Sequence, residues 1–491
     1  MKKPVHFPSL EALGPVLIVG LGETGVAAAN WCLMHGVAVR IADTRAQPPG
    51  LARLCADGRP ALRLGADAFA PAVLEGMGSL VLSPGLSPRE PGVASLLQAA
   101  GRAGLGVIGE IELFALALRD LAGQGYRPHV LGITGTNGKT TVTAMTRDIL
   151  RAAGMSVQAA GNISPAALAA LARALRDDAL PQAWVLELSS FQLFSTHSLA
   201  LDAAVILNLS QDHLDWHGDF QAYAAAKARL FSQTRRLIIN RSDAAVCRLV
   251  ADAGAAVHSS FGGDAPAGPD DPGLVAAQGM DWLALGNGTA GADPELLMPA
   301  GALRVRGRHN ALNALAALAL ARSLVIDPAL PLAPLLQALR DYGGEPHRMA
   351  FVRSVGGVDF INDSKGTNVA AAVAALQGME GPLVLIAGGL AKGQDFTPLV
   401  NAVGERGCPV VLIGRDAAVL AAAFEAAGLP TVCEADLEAA VHRAFALARP
   451  GATVLLSPAC ASMDMFENYG QRGRCFARAV DALALDQGEV A

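Results

Sequence analysis

No apolar run in this chain of 491 residues approaches the ~18 uninterrupted positions that a membrane-spanning helix needs. Asn313, Arg322 and Asp327 break the longest stretches, so no membrane span is expected. Nor is there a positive field for nucleic acid: 38 Lys and Arg stand against 44 Asp and Glu, the net charge is -6, and no basic stripe is visible. The opening segment MKKPVHFPSLEALG has two lysines but no apolar core behind them, which argues against a secretory signal. Seven cysteines, an odd number, lie far apart without a C-x-x-C pair. That suits free thiols in a reducing cytoplasm better than a disulfide framework. Repeats, coiled-coil heptads and low-complexity tails are lacking too.

What the chain has is alternation. Short apolar runs (VLIVG, AVRIAD, SLVLSPG, HVLGITG, WVLELS, AAVILNLS, RLIIN, LVLIAGG, PVVLIG, ATVLLSPA) are separated by Ala/Leu-rich helical patterns. Strands covered on both faces by crossover helices read this way, so an α/β architecture with parallel sheets is expected. The length allows about three domains. Boundaries near GLGVIGEIELF and DYGGEPHRMAF divide the chain into 1–108, 109–345 and 346–491. From Gly254 to Ala300 the sequence is rich in Gly, Pro and Asp, suggesting surface loops and short strands.

Two glycine-rich turns follow strands and open helices. In VLIVGLGETGVAAANW, Gly20, Gly22 and Gly25 form the G-x-G-x-x-G pattern of dinucleotide-binding folds, and Asp43 ends the next apolar run. Alone, that fingerprint suggests a dehydrogenase. The second turn, Gly135-Thr136-Asn137-Gly138-Lys139-Thr140-Thr141, is a shortened P-loop: Ile133 stands where the strict form has its first glycine. Its chemistry survives the shortening. Glycine N–H groups can close on phosphate oxygens at a helix N-terminus, Lys139 supplies charge, and Thr140 can hold Mg²⁺. Two phosphate cradles imply two phosphorylated ligands.

Glu187 ends the strand run of LELSSFQ, where parallel sheets build ligand sites. His213 and His217, in SQDHLDWHGD, have zinc-like spacing but no evident third ligand. Lys227, in YAAAKARLF, taken alone reads as an exposed helical lysine. Asn310 and Asn313 lie three apart on one face near the start of the helix HNALNALAALALA. Cys460 reads as a small buried residue with no adjacent base to make it a nucleophile.

Taken together, TGTNGKTT, LELSSFQL, NLSQDHLDWHG, YAAAKARLF, GRHNALNALAALAL, PHRM, NDSKGTN and SPACASMDMFENYGQRG resemble the Mur ligases, in order from Gly20 to Gly473. The resemblance implies three domains: a Rossmann-like UDP-sugar domain, a P-loop ATPase-like centre and a Rossmann-like amino-acid domain. It points to the member of the family that joins D-glutamate to UDP-N-acetylmuramoyl-L-alanine, with ATP activating the carboxylate as an acyl phosphate. A sibling amino-acid ligase, including one like folylpolyglutamate synthase, is the alternative. Outside that class stand an NAD-dependent oxidoreductase, which leaves the P-loop unexplained, and a regulatory P-loop switch, which needs no carboxylate-binding third domain.

By the same resemblance, the first turn serves the sugar nucleotide and not a hydride carrier. Gly22, Glu23 and Thr24 approach it, Asp43, Thr44 and Arg45 take the uracil side, and Ser83, Gly85, Asn162 and His213 complete the site. Glu23 stands where an apolar residue is expected in relatives. ATP falls to the P-loop with Asn310, Asn313, Arg348 and Asp363. Two Mg²⁺ ions fall to Thr140, Glu187, His213 and a CO₂-derived carbamate on Lys227, with Lys139, His213 and Lys227 as the catalytic set. D-Glutamate, a dicarboxylate, falls to Lys365, Thr367, Lys392, Ser462 and Tyr469, the last where relatives often have Phe. A cytoplasmic monomer with small-molecule partners, closing about a hinge at Gly343–Pro346, completes the expectation.

Overall fold

A computed structural model describes residues 5–55, 59–287, 293–305, 307–324, 331–379 and 381–489. Lys2, Lys3 and Asp327, invoked above, lie outside the described residues. The chain divides into two compact units. The first holds 1–209, 216–300 and 312–340; the second holds 210–215, 301–311 and 341–491.

The first unit contains two parallel sheets. One runs Ala61–Leu64, Val39–Asp43, Val16–Val19, Ser79–Leu82, Gly106–Ile108. Chain order reverses between Val16–Val19 and Ser79–Leu82, so the turns after those two strands flank the crevice where such sheets bind ligands. The second sheet runs Val257–Phe261, Leu237–Asn240, Ala203–Ile206, His129–Thr134, Ala183–Glu187, Val157–Gly161. The helix Glu110–Gly123 packs on both Glu23–Met34 and Ala167–Arg176. One apolar cluster therefore runs from Trp31 through Phe114 to Trp184 and Leu230. The short strands expected in the Gly- and Pro-rich stretch from Gly254 are found: Pro272–Ala277, Met280–Leu285 and Glu295–Pro299 form an antiparallel three-stranded sheet.

In the second unit an antiparallel hairpin, Ala350–Val355 with Val358–Asn362, leads into parallel strands in the order Thr453–Leu456, Leu383–Gly388, Val410–Ile413, Thr431–Cys433. The hairpin pattern was not legible because its first strand is half exposed. All seven cysteines are free thiols. Among the described residues, no helix is long and apolar enough to cross a membrane.

Candidate active site

The first turn is shaped by its glycines. Gly20 has φ +86°, and a Cβ on Gly25 would lie 2.0 Å from the Gly20 carbonyl oxygen. The helix Glu23–Met34 could not approach the strand so closely with any other residue there. Ser83 donates its hydroxyl to Gly20 O at 2.7 Å, fastening the two turns that flank the crevice. Asp43 accepts from Leu21 N at 2.8 Å and from the Arg45 guanidinium at 2.7 and 2.8 Å. Burial works to raise the Asp43 carboxyl, but the bonds from Arg45 and Leu21 outweigh it and hold the group below its ordinary range. Glu23 accepts a short hydrogen bond from Ser164 Oγ, a partner that the sequence did not disclose.

The P-loop stands between strand His129–Thr134 and helix Lys139–Ala152. Gly138 has φ +82°, and a Cβ there would lie 2.6 Å from Asn313 Oδ1, which puts Asn313 directly against the loop. Asn208 carries the loop from below: it accepts from Asn137 N at 2.8 Å and donates to Asn137 O at 3.1 Å, while its carbonyl accepts from Thr136 N at 2.9 Å. An asparagine after a strand is too ordinary a signal for this role to be read in advance. The Lys139 ammonium curls over the loop to Gly135 O and Thr136 O, both at 2.8 Å. Thr140 donates to Glu187 Oε2 at 2.8 Å, and Asn162 donates to Glu187 Oε1 at 2.9 Å. Thus Thr140, Glu187 and Asn162 meet, joining a P-loop hydroxyl to a buried carboxylate.

Lys227 is 1% exposed, so the solvated lysine suggested by its helix alone is not what forms. Its Nζ donates to Gly135 O at 2.9 Å and Thr134 Oγ1 at 3.3 Å, and lies 4.8 Å from the centre of the Tyr223 ring. The Tyr223 hydroxyl is 2.8 Å from Thr136 Oγ1, so the helix Phe220–Ala228 is tied to the P-loop at two points. His217 is occupied elsewhere, with Nε2 2.9 Å from Ser190 Oγ and the ring stacked on Phe191. His213 belongs with the second unit, has φ +55° and places Nε2 3.6 Å from Asp212. Among the described residues, no group of three His, Cys, Asp or Glu is placed to hold a metal.

In the second unit three loops after strands are laced together. Leu390 and Ala461 exchange N–H···O bonds of 2.9 and 3.1 Å, and Ala459 N donates to Gly366 O at 2.9 Å. The segments bearing Lys365 and Thr367, Lys392, and Ser462 are thereby brought side by side. Lys365 Nζ lies 5.2 Å from the centre of the Tyr469 ring. Arg472, which the sequence did not single out, is the pin: Nε donates to Ser364 Oγ at 3.0 Å, Nη2 to Ser364 O at 2.8 Å and Nη1 to Cys460 O at 3.1 Å. Burial draws its pKa down to about 10. Asp363, which takes 2.7 Å from Ser457 Oγ, is pushed up by burial to about 6, against the lowering by that bond and by Arg348. Burial also raises the Cys460 thiol to about 12, which rules it out as a ready nucleophile. The Asn310 N–H donates to Gly307 O at 2.9 Å.

Three family models match in series: the MurD-like N-terminal domain of Mur ligases at 14–109, the Mur ligase middle domain at 133–321, and the Mur ligase glutamate ligase domain at 347–460. A UDP-N-acetylmuramoylalanine--D-glutamate ligase of Bordetella parapertussis is 56% identical over 97% of this chain and 97% of its own. The chain belongs to the Mur ligase family. A Burkholderia ambifaria ligase of the same name is 52% identical over 96% of this chain and 98% of its own. Among solved structures, UDP-N-acetylmuramate-alanine ligase from Thermotoga maritima aligns with a TM-score of 0.56 at 18% identity, covering 96% of this chain and 99% of that one. At that identity it speaks for the shared fold alone. The family likeness and the three-part α/β architecture read from the motifs are therefore both found. As a Mur ligase the chain is an ATP-dependent, amide-forming enzyme, and the dehydrogenase suggested by Gly20–Asp43 falls away.

Proposed function

We propose that this Mur ligase joins D-glutamate to UDP-N-acetylmuramoyl-L-alanine in the cytoplasm, converting ATP to ADP and phosphate in peptidoglycan precursor synthesis. Supporting this is the name shared by relatives more than half identical over nearly the whole chain. The observation that carries the chemistry is the P-loop with Lys139 above it and the Thr140–Glu187 pair at its end.

A carboxylate is a poor electrophile. In the proposed reaction the alanine carboxylate oxygen attacks the γ-phosphorus and ADP leaves. The D-glutamate amine then adds to the acyl carbon, phosphate departs, and the amine loses its proton. Phosphoryl transfer of this kind depends on position and charge neutralisation. Lys139 and the N–H groups of Gly135–Thr141 serve the phosphates, with Asn313, which lies against Gly138, also assigned to ATP. Arg348, Asp363 and Asn310 are assigned to ATP, and Lys365, Thr367, Lys392, Ser462 and Tyr469 to the two carboxylates of D-glutamate.

Mg²⁺ fits the donors present: a threonine hydroxyl and a carboxylate are hard oxygen ligands, and Thr140 and Glu187 would hold the ion, which supplies charge neutralisation when bound. A second ion would draw on Lys227 as its carbamate. The neutral Lys227 amine would add to CO₂ and lose a proton, leaving one N–H that can still donate to Gly135 O. An ammonium would repel a metal; the carbamate removes that objection without abandoning the existing hydrogen bond.

The test is phosphate release from ATP with UDP-N-acetylmuramoyl-L-alanine and each of D-glutamate, L-alanine, meso-diaminopimelate and L-lysine. Release and amide product with D-glutamate alone are expected. Equal or faster turnover with another amino acid would replace this reading by a sibling ligase.

A further inference from the structure

Glu23 sits at the first turn of its helix, where an acid is favoured by the helix dipole without any other role. Its carboxylate does more than that. Ser164 Oγ donates to Glu23 Oε1, a bond between residues of the first and second sheets' connections. Both residues line a cavity of about 180 Å³ with Thr24, Pro84, Asn162 and Gln192. Two residues before Ser164, Asn162 is fixed to Glu187 twice: its N–H donates to Glu187 O at 2.8 Å, and its Nδ2 to Glu187 Oε1 at 2.9 Å. Glu187 Oε2 in turn accepts from Thr140 of the P-loop. Gly161 allows the close approach, since a Cβ there would lie 2.3 Å from Glu187 O.

We propose that Glu23 is a positioning residue for the ATP site, acting through Ser164 on the segment Asn162–Ser164 and so on the carboxylate of Glu187. Resting on the proposed function, the inference adds that the sugar-nucleotide cavity and the P-loop share one ordered segment. The Glu23–Ser164 clasp orders it when the cavity is empty. A sugar nucleotide filling the cavity orders the same segment, and a ligand that meets an already ordered element binds at a lower entropic cost.

The proposal has a signed consequence. Without the clasp, Mg-ADP alone should bind about fivefold more weakly, the worth of one hydrogen bond, while Mg-ADP with saturating UDP-N-acetylmuramoyl-L-alanine should bind as to wild type. Calorimetric titration of Glu23→Ala and Ser164→Ala, each with and without the sugar nucleotide, reads this directly. Ser164→Ala removes the bond without touching the helix first turn, and the double variant should be no weaker than either single one. Glu23→Gln, which keeps an acceptor oxygen, should restore Mg-ADP binding to within about twofold. Unchanged Mg-ADP affinity in both single variants overturns the proposal, as does a loss that the sugar nucleotide fails to repair. If wild type binds no UDP-N-acetylmuramoyl-L-alanine, the proposed function falls, and the Mg-ADP titration alone decides: weakening in both single variants sustains the clasp, and its absence removes it.

Discussion

Replacing Glu110 by Gln should change how the stability of this enzyme depends on pH. Glu110 and Glu112 open the same helix and both are buried, but they are served unequally. Glu112 accepts from His197 N at 2.6 Å, Ser198 N at 2.9 Å and Ser198 Oγ at 2.5 Å. Glu110 Oε1 has Leu168 N at 2.6 Å, and Oε2 is buried with no partner among the described residues. Burial pushes the Glu110 pKa from 4.5 to about 7; the Leu168 bond opposes the rise and the Glu23 charge adds to it. The folded state therefore holds this proton more tightly than the unfolded chain. Below pH 4.5 both forms are protonated and the group is neutral in its effect. As pH climbs from 4.5 the unfolded chain releases its proton first and stability falls, until the loss is complete above about 7. At about 1.36 kcal/mol per tenfold change in proton affinity, the loss is about 3 kcal/mol. Gln cannot ionise, so Glu110→Gln should gain on wild type by about that amount between pH 4.5 and 8. Urea unfolding of both proteins across that range measures it, and taking the difference cancels the titrating groups other than those coupled to Glu110, as Glu23 is. A difference that stays flat, or that moves toward wild type as pH rises, would refute the reasoning.

Lys227→Ala and Lys227→Arg should each lower kcat by at least about 100-fold, since neither side chain can become a carbamate; near-normal turnover in either would remove the carbamate from the mechanism. Gly138→Ala forces a side chain onto a residue at φ +82° with its Cβ 2.6 Å from Asn313 Oδ1, and ADP titration should show at least about tenfold weaker binding. Arg472→Leu leaves Ser364 O and Cys460 O without their buried donor. At about 1–3 kcal/mol for each orphaned group, thermal unfolding should reveal roughly 4 kcal/mol of destabilisation, and the KM for D-glutamate should rise more than that for ATP. Arg472→Lys should recover little, because one ammonium cannot replace a planar fork.

The sequence disclosed elements that repeat a strong local pattern. Glycine turns after apolar runs announced both phosphate cradles, because only glycine tolerates the backbone angles and close approaches found at Gly20, Gly25 and Gly138. Lys227 was opaque to periodicity: its burial is created by Tyr223, Thr134 and Gly135, two of which are distant in sequence, and only likeness to a family hinted at it. Asn208, Arg472 and the partner of Glu23 were hidden for the same reason. Each is an ordinary polar residue whose role comes from a long-range contact. The hairpin at Ala350–Asn362 was obscured, and the short strands expected within 272–299 gave no hint of their antiparallel pairing, because half-exposed or Gly-interrupted strands lack a clean alternation.

Arg348 lies between two residues, His347 at φ +64° and Met349 at φ +47°, that non-glycine side chains seldom permit. Each such angle costs about 1–2 kcal/mol, so roughly 2–4 kcal/mol of backbone tension is concentrated around a single guanidinium. The tension is held by the Asn362 amide, 3.2 Å from His347 Nδ1, and by the bare α-carbon of Gly473, where a methyl would intrude to 2.2 Å from the same ring atom. The aim of a positive charge is thus governed from a glycine far along the chain. One added methyl there would act as a trigger, letting the backbone relax and the arginine swing away.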